Sequence, residues 1–416
     1  MDTQEIVTLA EDLLTRRYGG ALKFHDVTQL SGSGTAVVLQ AKVSTNPFFP
    51  HRSVVVKHSP VSGDVIDDAA FLREVVAYQF TTSLAEEVRP GPVLFAYDLQ
   101  ERMIVISDSG EGDNFADLLQ EGDPEKRVQV LRNLGTALGK MHAGTASKED
   151  AFTILFKRML RQHPEFARIQ ELREGLLDYA TRSGMDAITE SGIEVPAAVK
   201  SVVNNIQDRV RHGRNRAFTP FDLAPDNIIV GERTEFLDYE WAGFRDVSFD
   251  LACVIGGFPQ FISTRPIADD EAVAFVEAWV QEVNELWPAV TNEDTLHARI
   301  TAALIAWAFA SVSLMYHGSI ARGIALREDA REALQLTDEE ITNLGLITPD
   351  NFEVNTNILQ PAFEADFNQD ELLIRRDLYE TFEALSRFAA AGRDSSYAVI
   401  SEFAFELAER INDQLI

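Results

Sequence analysis

Apolar and polar positions divide this chain into two stretches of different period. After an opening segment patterned as a helix (MDTQEIVTLAEDLLTRRYGG), the first hundred residues carry short β-branched runs between turn residues. VVLQAKV (37–43), SVVVKH (53–58), PVLFAY (92–97) and RMIVIS (102–107) read as strands. One helix interrupts them: FLREVVAYQF (71–80) has apolar residues at helical spacing, and Asp67 and Asp68 are placed to cap it.

Beyond the polar, glycine-containing stretch SDSGEGD (107–113) the period becomes mostly helical. Asp123-Pro124 is a cap followed by proline at the first helical position, and Val130, Leu131, Leu134, Leu138 and Met141 then share one face. Helical patterns return at 165–182, 197–211, 269–286, 296–324, 371–390 and 396–413. The division predicts an α+β fold with a β-rich N-lobe over 1–107 and a larger, mostly helical C-lobe over 108–416. The apolar window at 300–318 is interrupted by Thr301, Ser311 and Ser313, which favours a buried core helix over a membrane span.

The exception in the helical half is AFTPFDLAPDNIIVGERTEFLDYEWAGF (217–244). NIIV (227–230) and EFLD (235–238) read as strands joined by the four-residue turn GERT. A register symmetric about that turn sets Asn227 opposite Asp238, with Cβ atoms about 5 Å apart. A carboxylate and an amide oxygen so placed suit Mg²⁺, which takes few protein ligands and keeps phosphate or water for the rest. Asp222, in a loop stiffened by Pro225, is a general-base candidate for a hydroxyl nucleophile. On the hairpin alone, turn formers and an edge-strand end explain these residues equally well.

Two upstream residues change that balance. Asp-x-x-x-x-Asn with an Asp on the next strand is kinase-loop spacing, and it demands a strand lysine and a helix glutamate. Lys57 ends VVVK and Glu74 lies in the following helix, in a chain with no lysine after Lys200.

With these groups in order, the sequence resembles the aminoglycoside phosphotransferase and choline kinase family, which has a bilobal protein-kinase-like fold. VLRNLGTALGKMHAGT (130–145) is similar to that family's helix ending in Leu-x-x-Leu-His, and FDLAPDNIIV (221–230) to its catalytic loop. FLDYEWAGFRDVSFDLA (236–252) is similar to its metal-binding segment, and VISDSGEGDNFADLLQEGD (105–123) to its hinge region. The resemblance spans about residues 25–260 and implies ATP- and Mg²⁺-dependent phosphorylation of a hydroxyl on a small molecule. It implies Asp222 as base, Asn227 and Asp238 as metal ligands, and Lys57 positioned by Glu74 on the α- and β-phosphates. Backbone N–H groups of Ser33, Gly34 and Thr35 would cover the phosphates, and backbone groups of Ser107 to Ser109 would meet adenine. Asp250 would brace the catalytic loop.

The sequence departs from the family at Pro220-Phe221-Asp222, where His-Gly-Asp is usual, which puts the shape of the loop in question. The departure motivates one alternative, a nucleotide-binding pseudokinase that acts by interaction. The family's acceptor contacts lie mostly in C-lobe helices, where no motif is recognisable. Glu240, Trp241, Asp246 and Asp269-Asp270-Glu271 would suit a cationic amine, on charge alone.

Composition narrows partners and compartment. Hydrophobic content of 45% and charged content of 25% over 416 residues are ordinary for a globular protein. A net charge of −29 disfavours nucleic acid and anionic lipid as partners. A single cysteine, Cys253 in the apolar run LACVIGG, excludes an internal disulfide and reads as a buried inert thiol. With no secretory pattern at the N-terminus, the expected location is the cytoplasm. Neither a P-loop nor a zinc motif occurs, and His142 is expected to close its helix and pack.

Overall fold

The computed structural model describes residues 1–412 apart from 31–34, 64, 111, 121, 262–264, 320–321, 323–324, 326–327, 329–330, 333–334, 347–356 and 362. Among the described residues the strands are β1 (Phe24–Leu30), β2 (Val37–Val43), β3 (Ser53–His58), β4 (Leu94–Asp98), β5 (Met103–Ser107), β6 (Asp113–Asn114), β7 (Arg216–Thr219), β8 (Ile228–Val230), β9 (Thr234–Phe236) and β10 (Gly243–Asp246). The chain forms two compact units. One comprises Met1–Leu118, Ser147–Phe166 and Pro220–Gly243, and the other the remainder.

In the first unit, α1 (Thr3–Tyr18) starts at a capping box in which Asp2 and Glu5 exchange backbone hydrogen bonds of 2.7 and 2.8 Å. Its buried face, Ile6, Val7, Ala10 and Leu14, joins Leu39, Ala41, Val54, Val56 and Val105 in one core. These residues alternate along β2, β3 and β5 of an antiparallel sheet ordered β1-β2-β3-β5-β4. Strand alternation decides where Lys57 goes. Val54 and Val56 face α1, so Ser53, Val55 and Lys57 face the opposite side of the sheet.

Helix α2 (Val65–Thr82) is buried around nearly its whole circumference from Ile66 to Phe80, including Arg73 and Glu74 at 1% exposure each. It packs on β4 and on the helix Glu149–Gln162, where Phe80 meets Phe152 edge-on at 5.6 Å and Arg73 lies 4.7 Å over Phe156. Asp67 and Asp68 fall inside its first turn rather than capping it. Asp68 instead accepts the N–H groups of Ser62 and Gly63 in the preceding loop.

The second unit is mostly helical, so the molecule has the expected α+β class. The helix Pro124–Thr145, capped by Asp123, packs on Asp269–Val283. Contact is close because Gly135 and Gly139 present no side chain; a Cβ on Gly135 would stand 2.2 Å from the Phe275 carbonyl oxygen. The helix Glu293–His317 is long and apolar enough to cross a membrane, but 83% of its apolar window is buried inside the protein. It packs on Ala167–Glu190, Ser248–Ile255 and Gln369–Ala390, as expected of a core helix. Cys253 is buried and in no disulfide.

Candidate active site

The hairpin exists, with a register one residue away from expectation. Ile228 pairs with Phe236, Ile229 with Glu235 and Val230 with Thr234, so the loop is the three residues 231–233. Thr234 is drawn into β9, and Gly231 N–H donates to the Arg233 carbonyl across the loop at 3.1 Å. Arg233 is also anchored outside the hairpin, donating to the Arg89 carbonyl at 2.8 Å.

Asn227 therefore faces Leu237, whose N–H donates to the Asn227 carbonyl at 2.8 Å, and does not face Asp238. In a regular strand that slip would send Asp238 to the wrong side. Asp238 leaves the strand geometry, however, with φ of 55°, and Asn227 closes a 3₁₀ turn begun by Pro225. A left-handed aspartate is among the less costly exceptions to L-residue sterics.

The turned Asp238 meets Lys57. The Lys57 ammonium lies 2.9 Å from Asp238 Oδ1 and 2.8 Å from Glu74 Oε1, a lysine shared between two carboxylates. Burial by itself would lower the Lys57 pKa, but the charges of Asp238, Glu74 and Glu240 outweigh it and raise it. Glu74 is pushed up to about 7 by burial, against the pull of Lys57 and with Asp238 adding to the rise. The Lys57 ammonium is thus shared between two carboxylates.

Asp222 lies in the same field. Its carboxyl is raised to about 6, first by burial and then by Asp238 and Asp226, while the Ala224 N–H, donating to Oδ1 at 3.1 Å, and the Lys57 charge oppose the shift. A carboxylate tuned towards neutrality is suited to accept a proton near pH 7. The loop in front of it is strained. Phe221 has φ of 69° at the place where the similar family has glycine, a conformation that costs a bulky residue about 1–2 kcal/mol. Buried Leu223 and Pro225 hold the loop from within.

A further strand ties in the segment after the hinge. Asp113 and Asn114 of β6 pair with Val230 and Ile229, and the Asn114 amide donates to the Asp226 carbonyl at 3.3 Å, next to Asn227. A Cβ on Gly112 would meet Ile229 at 2.6 Å, so only glycine allows this approach.

Of the remaining expected contacts, Ser33 and Gly34 lie outside the described residues and Thr35 is exposed. Ser107 ends β5, exchanging hydrogen bonds with Val93 at 2.8 and 2.9 Å, and Ser109 is half-buried in the loop beyond it. In the second unit Trp279 Nε1 donates to His142 Nδ1 at 2.9 Å, which leaves the His142 Nε2 proton for Asp250 at 3.2 Å. His142 is a buried structural residue, as expected from its place on the helix.

Several acidic groups expected to suit an amine have their own cations. Asp246 takes Arg299 at 2.7 Å, Glu271 takes Arg127 at 2.6 Å, and Asp269 pairs with Arg387. Asn114 carried no sequence signal, because its role depends on a contact distant in the chain.

The donor chemistry fits a hard cation. Asp238 and Asn227 offer oxygen atoms, and Asp238 Oδ1 is buried with the Lys57 charge beside it but no hydrogen bond. Among the described residues no group of three or more His, Cys, Asp or Glu gathers to cage a metal. Mg²⁺ is a hard cation that takes few protein oxygens and keeps phosphate or water for the rest.

A family model described as "Phosphotransferase enzyme family" matches residues 51–290, more than half of the chain. No curated protein matches the sequence. Among solved structures, the chain is similar to a choline kinase from Cryptosporidium parvum Iowa II at 11% identity and a TM-score of 0.46, covering 82% of this chain and 94% of that one. It is similar to a streptomycin-ATP-APH(2")-IIa ternary complex at 13% identity and a TM-score of 0.42, covering 82% and 98%. A third, choline kinase LicA from Streptococcus pneumoniae, has 15% identity and a TM-score of 0.41, covering 81% and 99%.

Proposed function

The chain belongs to the phosphotransferase enzyme family and is a small-molecule kinase, and from that premise we propose that it moves the γ-phosphate of ATP to an acceptor hydroxyl, with Mg²⁺ as cofactor. The observation that carries this reading is the Lys57 ammonium at 2.8 Å from Glu74 and 2.9 Å from Asp238, with Asp222 in the same charge cluster.

In the proposed mechanism Asp222 orients the acceptor hydroxyl. It takes the proton as the new O–P bond forms and the bond to the ADP leaving oxygen breaks. Lys57, aligned by Glu74, steadies the α- and β-phosphates. Asn227 and Asp238 would hold Mg²⁺, which when bound supplies neutralisation of the phosphate oxygens. Backbone groups at Ser33, Gly34 and Thr35 would line the phosphates, and those at Ser107 to Ser109 would meet the adenine. In this reading residues 1–107 form the nucleotide-covering N-lobe and 108–416 the C-lobe that supplies the acceptor contacts.

The acceptor is proposed to be a small molecule bearing an alcohol. Arginine partners on Asp246, Asp269 and Glu271 remove much of the charge argument for an amine, so neutral sugars and amino alcohols stand on equal terms. The test is ADP release across aminoglycosides, amino alcohols and sugars, with Asp222→Asn beside the wild type. Acceptor-dependent turnover that the substitution abolishes supports the kinase. Nucleotide binding with no turnover on any acceptor would favour the pseudokinase.

A further inference from the structure

One arginine outside the charge cluster joins the strand that carries Lys57 to the helix that carries Glu74. It sits in the turn between β4 and β5, where Asp98 Oδ1 accepts the Gln100 and Glu101 N–H groups at 2.9 and 3.2 Å. Arg102 leaves that turn with φ of 49°, a backbone that L-residues rarely adopt. Its carbonyl accepts the Ser59 N–H at 3.0 Å, which carries the β3–β5 pairing past His58 and Met103. Its guanidinium reaches both ends of the connection that follows β3. Nε donates to the Ser59 carbonyl at 2.6 Å, and one terminal nitrogen donates to the Asp68 carbonyl, in the first turn of α2, at 2.8 Å. The other terminal nitrogen lies 3.6 Å from the Asp68 carboxylate, which itself holds the Ser62 and Gly63 N–H groups. Phe71, one turn further along α2, has its ring centre 5.4 Å from the guanidinium.

These bonds bear on the site because Lys57 and Glu74 belong to different elements. Lys57 stands two residues before Ser59 on β3, and Glu74 six residues after Asp68 on α2. A helix is stiff over that length, about 9 Å at its rise per residue, so a fixed Asp68 carbonyl fixes where the Glu74 side chain begins. Arg73 ties the same helix to the Ala242 carbonyl at 3.1 Å, beyond Asp238, while Arg102 ties it to the end of β3. Arginine suits this bridge because its planar fork holds donors to two carbonyls in fixed geometry, which an ammonium on a flexible stem does not. The left-handed backbone at Arg102 is strain of the kind that persists only where surrounding contacts over-determine it.

We propose that Arg102 is a positioning residue for phosphate binding: by bridging Ser59 and Asp68 it holds Glu74 against Lys57, and through that pair sets the affinity for the phosphates of ATP. The proposal rests on the reading of Lys57 and Glu74 as the phosphate-positioning pair. Arg102 acts through α2, so its loss is felt where the loss of Glu74 is felt.

The test is calorimetric binding of ATP with Mg²⁺, and of adenosine, to the full-length wild type, Arg102→Met, Glu74→Gln and the double variant. Both single variants are expected to bind ATP about tenfold or more weakly, the weight of a charge-assisted hydrogen bond, with adenosine affinity near wild type. The double variant is expected to lose no more than Glu74→Gln alone, because two residues acting through one contact are not additive. Wild-type ATP affinity in Arg102→Met, with loss in Glu74→Gln, overturns the role of Arg102 and leaves the reading of Lys57 and Glu74 standing. Additive losses in the double variant, or an equal loss for adenosine, also overturn it, since either marks a general effect on the fold. Unchanged ATP affinity in Glu74→Gln overturns both. Should Arg102→Met not fold, Arg102→Lys replaces it. The charge remains and the fork is gone, so the same weakening is expected, and wild-type ATP affinity overturns the proposal.

Discussion

Both units bury charged side chains, but they neutralise them differently. In the second unit the most deeply buried ion pairs run one to one: Arg127 with Glu271 and Arg299 with Asp246. Burial would raise the Glu271 carboxyl, yet Arg127 and the Ala268 N–H hold it below its ordinary range. In the first unit Lys57 is shared between Glu74 and Asp238 with Glu240 and Asp222 in its field, and Glu74 and Asp222 are raised to about 7 and about 6. Left-handed Phe221 and Asp238 add backbone strain at the same place. Burial of charge is common to both units; a shared cation combined with strain sets the site apart. A raised carboxylate alone does not, since Asp377 in the second unit is pushed up to about 7 by burial with the Gln260 N–H as its partner.

The largest expected effect breaks the site and spares the fold. Asp222→Asn should lower turnover on the order of 10³-fold while leaving the circular dichroism unchanged, because a general base is worth about 10²–10⁴. The converse belongs to the second unit. Arg127→Met should lower the urea-unfolding free energy by about 3–5 kcal/mol, the cost of stranding a buried partner, with turnover per folded molecule near wild type.

The pH profile sharpens the contrast further. Asp222 works as a carboxylate and its pKa is raised to about 6, so kcat/KM should climb with pH up to about 6 and flatten above. Below that point the slope should be about tenfold per pH unit. An acid limb centred near the ordinary aspartate value would show that the carboxyl is not tuned. The smallest effect is steric. Gly135→Ala places a Cβ 2.2 Å from the Phe275 carbonyl oxygen and should cost about 1–3 kcal/mol of stability, read as a lower thermal midpoint with kcat unchanged.

Local pattern carried much of this into view. β2 and β3 run over the stretches that their alternation predicts, and Asp123 caps its helix as expected. β1 was invisible because FHDVTQL is exposed along almost its whole length and so carries no alternating burial. The helix Glu149–Gln162 escaped notice because only Phe152 and Met159 of its residues are buried. Within the site, kinase-like spacing pointed to Lys57, Glu74, Asp222, Asn227 and Asp238, and the structure brings the Lys57, Glu74 and Asp238 side chains into contact. The hairpin register slipped by one because Arg233 is tied to a segment 144 residues away, which no local turn rule can register. The unusual φ at Phe221 likewise depends on tertiary contacts.

The most direct test of the shared-cation site is Lys57→Met, assayed by single-turnover transfer of the γ-phosphate at saturating nucleotide on folded protein. The expected result is transfer slower by about 10²–10³-fold, the loss seen when one preorganised electrostatic group is removed. Transfer at the wild-type rate would contradict the assignment of the site.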